Sequence, residues 1–194
     1  MSVMEDTRDR ILASASAQIQ RHGHIKTTVA DVAKHCGMSP ANIYRFFPTK
    51  AALIEAVSEI WLSMAEDNAR AIARQPGSAA ARVREYVLGV HEFNRDRYTR
   101  DGEVHETCVA ATSERWPIVF RHEKMLTDIF ASILRDGVDT GEFEIDDIDQ
   151  TAAIMISAML KFHNPIMVAQ YHTDSLTEQA VALSDFMLKA IRKR

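Results

Sequence analysis

Apolar residues recur along the chain at helical spacing. Ile11, Leu12, Ala15 and Ile19 fall at i, i+1, i+4 and i+8, and the Arg-His-Gly-His run around Gly23 closes that stripe. Thr28 stands where an N-cap belongs, ahead of a short helix that turns Val29, Val32 and Ala33 inward and stops at Gly37. Ser39 caps a second short helix, whose first position, Pro40, needs no N–H. Pro48 ends it. Thr49 then caps a long helix that carries Leu53, Ile54, Val57, Ile60, Trp61 and Met64 and runs to about Arg74. After the break at QPGS (75–78) the pattern predicts helices near 79–96, 103–112, 117–138, 148–170 and 175–192. Pro165 is expected to bend the fourth of these. DRYTRDG and DTGEFEIDD read as loops. Alternating apolar and polar positions never persist beyond a few residues, so the expected fold is all-α, with about nine helices.

The pattern divides the chain into an N-terminal three-helix unit, 1–50, and a larger helical unit, 51–194, bridged by the helix at 49–74. Two short helices joined by Cys36-Gly37-Met38 and preceded by a third form a helix-turn-helix arrangement. Its second helix must lie in a major groove while its back packs on its own domain. Ser39, Ala41, Asn42 and Arg45 are the groove-facing candidates, and Ile43, Phe46 and Phe47 the packing face. The Tyr44 phenol and the Lys50 ammonium are suited to DNA phosphates, as are the free N–H groups that open the long helix.

Charge sharpens this picture. Residues 1–50 hold seven Lys/Arg against four Asp/Glu, whereas the remainder holds 16 against 23. A basic head on an acidic body points to an anionic partner at one end. The overall net charge of −4 excludes a protein that coats nucleic acid over its whole surface. Two cysteines, Cys36 and Cys108, make no disulfide framework and suit a reducing cytoplasm. The start, MSVMEDTRDR, is too acidic for a signal peptide, and the uncharged run QTAAIMISAML falls short of the ~18 residues of a membrane span. The expectation is a soluble cytoplasmic protein with no membrane partner.

The stretch TTVADVAKHCGMSPANIYRFFPTKAAL resembles the DNA-binding region of TetR/AcrR-family transcriptional regulators. It has the Thr-capped helix, the small-residue–Gly turn, a Ser, a Tyr followed by an aromatic pair, and a Lys at the head of the next helix. The match covers about residues 7–57, with Cys36 standing where alanine is common. It gives the DNA-contact candidates as Thr28, Ser39, Pro40, Ala41, Asn42, Tyr44, Arg45 and Lys50. The rest of the chain resembles the family in architecture, with RDGVDTGEFEIDDID as the turn before the penultimate helix. The resemblance implies a dimeric repressor, released from double-stranded DNA by a small ligand in the C-terminal domain.

The candidates for that ligand's pocket are Trp61, Met64, Tyr86, His105, Cys108, Trp116, Met159 and His163. Most large apolar side chains at such spacing are plain core, and the rest line a mostly apolar cavity. The expected effector is hydrophobic or aromatic and hydrogen-bonded by a histidine. His105 and Cys108 share a helix face, and with Glu106 and His163 they make a metal-responsive regulator the alternative. The preferred reading keeps the histidines as pocket or core groups, with no metal and no cofactor. No catalytic signature surrounds Cys108, and no Gly-rich phosphate loop is present, so neither an enzyme nor a protein-only adaptor is favoured. Leu176, Ala180, Leu183, Met187 and Ile191 form a stripe at spacings of four and three. With Met155 and Met159 of the preceding helix, it is the expected homodimer interface, a four-helix bundle. Two heads ~34 Å apart would then read a near-palindromic operator.

Overall fold

The computed structural model describes residues 3–193. In chain order the helices are α1 (Val3–Lys26), α2 (Val29–Cys36), α3 (Pro40–Phe46), α4 (Lys50–Ala73), α5 (Ala79–Arg100) and α6 (Gly102–Ser113). They continue as α7 (Pro117–Asp139), α8 (Ile148–Ala158), α9 (Leu160–His163), α10 (Pro165–Gln170) and α11 (Thr177–Ile191). The fold is all-α. The one β feature among the described residues is an isolated bridge between Phe143 and Arg192.

Local signals place the first helices as expected. Gly23 leaves helical geometry at φ 77°, ψ 159°, and Thr27 returns its N–H and hydroxyl to the Gly23 carbonyl. Thr28 and Asp31 form a reciprocal capping box at the head of α2, and Gly37 in the left-handed region (φ 67°) ends that helix. Ser39 and Thr49 accept the N–H groups of Asn42 and Ala52 to open α3 and α4.

Two hydrophobic cores result. The first gathers α1, α2, α3 and the start of α4, and Val104 of α6 packs into it. The second begins at Ala69 and Ile72 and is built from α4, α5, α7, α8 and α11. Helix α4 therefore belongs to both. The first core continues along it through Leu53, Ile54 and Val57 to Trp61, well past residue 50.

Three expectations need correction. The DRYTRDG segment is not a loop: α5 runs through Arg100, and only Asp101 interrupts the helix before α6. The single helix expected over 148–170 is three. It breaks at Met159 and again at Asn164, whose extended backbone meets Pro165 and whose side chain caps α10 by accepting from the N–H groups of Ile166 and Met167. Pro165 thus starts a helix rather than bending one, because a proline N has no hydrogen to donate. Finally, Leu176, Ala180, Met187 and Ile191, with Met155 and Met159, are buried in the protomer's own second core, and Leu183 packs against it. Their stripe faces α5 within the same chain.

The turn between α7 and α8 is tightly held. Gly137 sits where an added Cβ would run into the Phe143 ring and the Ala79 methyl. The Glu142 carboxylate accepts the N–H groups of Ala79 (2.8 Å) and Ala80 (3.1 Å), completing the N-terminus of α5. Partial burial opposes ionisation of Glu142, but those two hydrogen bonds, the Thr140 hydroxyl and the Arg82 guanidinium together hold the carboxyl below its usual range.

Candidate functional site

Helix α2, its turn and α3 form the helix-turn-helix, the head of the molecule. Ile43 is fully buried and Phe47 nearly so, which fixes the back of α3, while Phe46 packs at the core's edge. Pro40, Ala41, Tyr44 and Arg45 are exposed and Asn42 is half-buried. Tyr44, with 48% of its surface open, keeps a large aromatic ring in water that a folding core alone would bury. Thr28 is exposed and committed to its capping box. Lys50 Nζ donates to the Ile25 carbonyl at 2.8 Å, which holds the ammonium at the start of α4 beside the end of α1. Of the eight DNA-contact candidates, Pro40, Ala41, Asn42, Tyr44 and Arg45 lie on α3, Thr28 and Ser39 cap α2 and α3, and Lys50 opens α4. Arg8, whose guanidinium lies 5.3 Å from the Phe47 ring centre, adds a cation beneath them.

In the body, α4, α5, α6, α7 and the α9–α10 corner enclose a cavity of about 50 Å³. Leu62, Ala111, Val119 and Leu126 give its apolar wall, and Asn94, Arg97, His105, Cys108, His122 and His163 its polar one. Three of the sequence-predicted ligand residues, His105, Cys108 and His163, are brought together here. The other five lie elsewhere. Tyr86 is buried in the second core, its hydroxyl bonded to the Leu126 carbonyl, and Met159 is buried in the same core. Trp61 is in the first core and Trp116 packs at its edge. Trp61 and Met64 line a separate open groove of about 430 Å³ along the seam between α1, α4, α5 and α6. Large apolar side chains at core spacing mostly filled cores. The cavity took instead polar groups whose orientation depends on which helices become neighbours, a signal absent from the local pattern.

Burial sets the chemistry of the cavity wall. It lowers His105 below the usual imidazole range, against the opposing bond from the ring to the Pro165 carbonyl (2.9 Å). It lowers His122 despite the Glu66 carboxylate 3.0 Å away, and it takes His163 to about 4. Burial also raises the Cys108 thiol, against the Arg97 guanidinium beside it. At neutral pH the imidazoles are therefore uncharged and the thiol is protonated, so neither a thiolate nucleophile nor an imidazolium is on offer. Among the described residues no group of three or more His, Cys, Asp or Glu side chains is arranged to hold a metal ion. His105 and His163 instead spend one ring N–H each on the carbonyls of Pro165 and Met159.

Two elements touch both cavity and head. Helix α4 carries Lys50 at one end and contributes Leu62 and Ser58 to the cavity. Helix α6 was not anticipated in this role. His105 and Cys108 face the cavity, whereas Val104 enters the first core and the Thr107 hydroxyl meets His24 of α1 at 3.2 Å.

Residues 11–57 match the family model for bacterial regulatory proteins of the tetR family, and residues 79–184 match that for the tetracyclin repressor-like C-terminal domain. The HTH-type transcriptional regulator UidR of Escherichia coli K12 is 31% identical over 87 residues, 45% of this chain and 37% of UidR. The chain thus aligns with little more than a third of that relative's length. Among solved structures, a TetR-family transcriptional regulator from Mesorhizobium loti superposes with a TM-score of 0.70 at 16% identity, covering 100% of both chains. SmeT, the repressor of the Stenotrophomonas maltophilia multidrug efflux pump SmeDEF, gives 0.67 at 16% identity over 96% of this chain and 90% of its own. No helix among the described residues is long and apolar enough to cross a membrane.

Proposed function

The chain belongs to the TetR family of bacterial regulatory proteins, and from that premise we propose that it is a homodimeric repressor whose hold on DNA is released by a small molecule in the α4–α7 cavity. The observation that carries this reading is α4, one unbroken helix from Lys50 at the head to Ala73, packed in both cores. A single stiff element shared by two sites is the physical means by which one biases the other. Tyr44 and Lys50 hold phosphates, Asn42 and Arg45 face base edges, and Pro40 and Ala41 let the backbone approach the groove.

The surface supports the dimer, with different residues from those the sequence suggested. Ile154 of α8 and Phe186 of α11 are 63% and 71% exposed, with Ala153, Ser157, Ala158, Leu160, Val181 and Ala182 open around them. Each helix thus turns one apolar stripe to its own core and a second, uncharged one outward. Pairing the outward stripes of two protomers makes the four-helix bundle and sets two heads ~34 Å apart.

A cavity of about 50 Å³ holds only a small group, whereas pockets for drug-sized ligands run to about 300–1,000 Å³. The closed form is the DNA-binding one. The effector, mostly apolar with a few polar groups, selects a form in which α6 and α10 have parted and the His105–Pro165 bond is broken. Coupling of about 1–3 kcal/mol weakens DNA binding roughly 5- to 150-fold. The test is a small-molecule screen for a raised melting temperature, followed by loss of binding to the DNA upstream of the protein's own gene. Cys108→Leu, which fills the cavity, abolishes the response while DNA binding persists. Full release of DNA from that folded variant places the effector elsewhere.

A further inference from the structure

Arg97 lies on α5 where α4, α5 and α6 converge. Its Nη2 donates to the Trp61 carbonyl at 2.8 Å, its guanidinium carbon lies 4.8 Å from the centre of the Phe93 ring, and its head group stands beside the Cys108 thiol. Among the described residues no carboxylate comes within 4.0 Å of its nitrogens. The nearby acid on α4, Glu66, is already engaged by Arg70 at 3.1 Å and His122 at 3.0 Å. A half-buried guanidinium with one main-chain acceptor, the Cys108 thiol beside it and no counter-ion keeps N–H donors to spare where the cavity wall meets the open groove that Arg97 also lines. The neighbouring imidazoles are uncharged, those of His105 and His163 bonded to carbonyls and that of His122 to the Glu66 carboxylate, so they neither supply nor cancel that charge. The one acid on the lining, Glu123, is exposed to solvent and makes no ion pair with Arg97.

The main-chain acceptor of Arg97 matters as much as its missing counter-ion. Trp61 is part of the first core, and its indole N–H donates to Ser16 of α1 at 3.3 Å. The Arg97–Trp61 bond therefore fastens α5 to α4 where α4 enters the head. A carboxylate accepts two parallel N–H bonds from a guanidinium and outcompetes a lone carbonyl for it.

We propose that the effector carries a carboxylate, that Arg97 pairs with it, and that this draws the guanidinium off the Trp61 carbonyl and unfastens α4 from α5. The proposal rests on the cavity being the effector site. The carboxylate meets the polar wall, the apolar remainder of the molecule lies toward Leu62, Val119 and Leu126, and the same bond that gives specificity transmits the signal.

The test uses the full-length protein with hexanoate, benzoate and phenylacetate, each beside its own carboxamide at matched ionic strength. Thermal melting reports binding, and fluorescence anisotropy on the upstream DNA reports release. At least one acid raises the melting temperature and weakens DNA binding five-fold or more, while its amide does neither. Arg97→Gln loses both responses, and Arg97→Lys, which keeps the charge without the planar fork, retains a weakened one. The acid–amide comparison on the wild-type protein stands even where Arg97→Gln fails to fold. Amides that act as well as acids, or a full response in Arg97→Gln, overturn the carboxylate proposal and leave the cavity as effector site. Acids that do nothing in the wild type overturn it too, and whether Cys108→Leu blocks a neutral compound found by screening then decides the cavity reading separately.

Discussion

Burial decides the charge of the histidines around the cavity, and that choice makes stability depend on pH. His105, His122 and His163 all have folded-state pKa values below the ordinary imidazole value, so the unfolded chain binds more protons than the folded one as acid is added. Their stability is fully present above about pH 6.5 and is lost as pH falls toward about 4, the value for His163. The melting temperature should fall between pH 7.5 and 5. His163→Gln should flatten that fall by an amount on the order of 1–3 kcal/mol, and an unchanged slope would remove His163 from the account. At the DNA end, Lys50→Ala should weaken binding to all sequences alike and lower the salt slope by about 1. A loss confined to one DNA sequence would instead make Lys50 a base reader. Tyr44 and Lys50 were legible in the sequence because their positions follow from caps and turns a few residues away. Arg97 and His122 were not, since a charged residue on a helix looks solvated until its neighbouring helices are known.

At the scale of elements, the same contrast separates the helix-turn-helix from the body. Thr28, Ser39 and Thr49 accept backbone N–H groups three residues on, and Gly37 ends α2 by itself, so local chemistry dictated those boundaries. Helix α11 is apolar on two faces, and periodicity alone could not say which one packs on α5 and which turns to water. The α7–α8 turn is where elements interlock most closely. Gly137→Ala adds a methyl against Phe143 and Ala79, and the strain should exceed the roughly 1 kcal/mol gained in helix propensity. A net destabilisation of about 1–3 kcal/mol is expected, read as a lower urea midpoint with an unchanged slope. A variant as stable as the parent would mean that the Phe143 ring moves aside freely.

In the whole molecule as proposed, two reading heads join through one interface and answer to one cavity. Phe186→Glu places a charge on the outward stripe and should yield a folded 21.8 kDa monomer in light scattering at micromolar concentration, with DNA affinity lost in parallel. A dimer that persists would locate the interface on another face. The proposed dimer should recognise a specific DNA sequence, which footprinting on the DNA upstream of its own gene would reveal. Protection of a near-palindrome is expected, with half-sites one helical turn, ~34 Å, or a whole multiple of it apart. Protection should survive an excess of unrelated DNA and disappear with Arg45→Ala. Binding no tighter than to random DNA, or protection without two-fold symmetry, would contradict it.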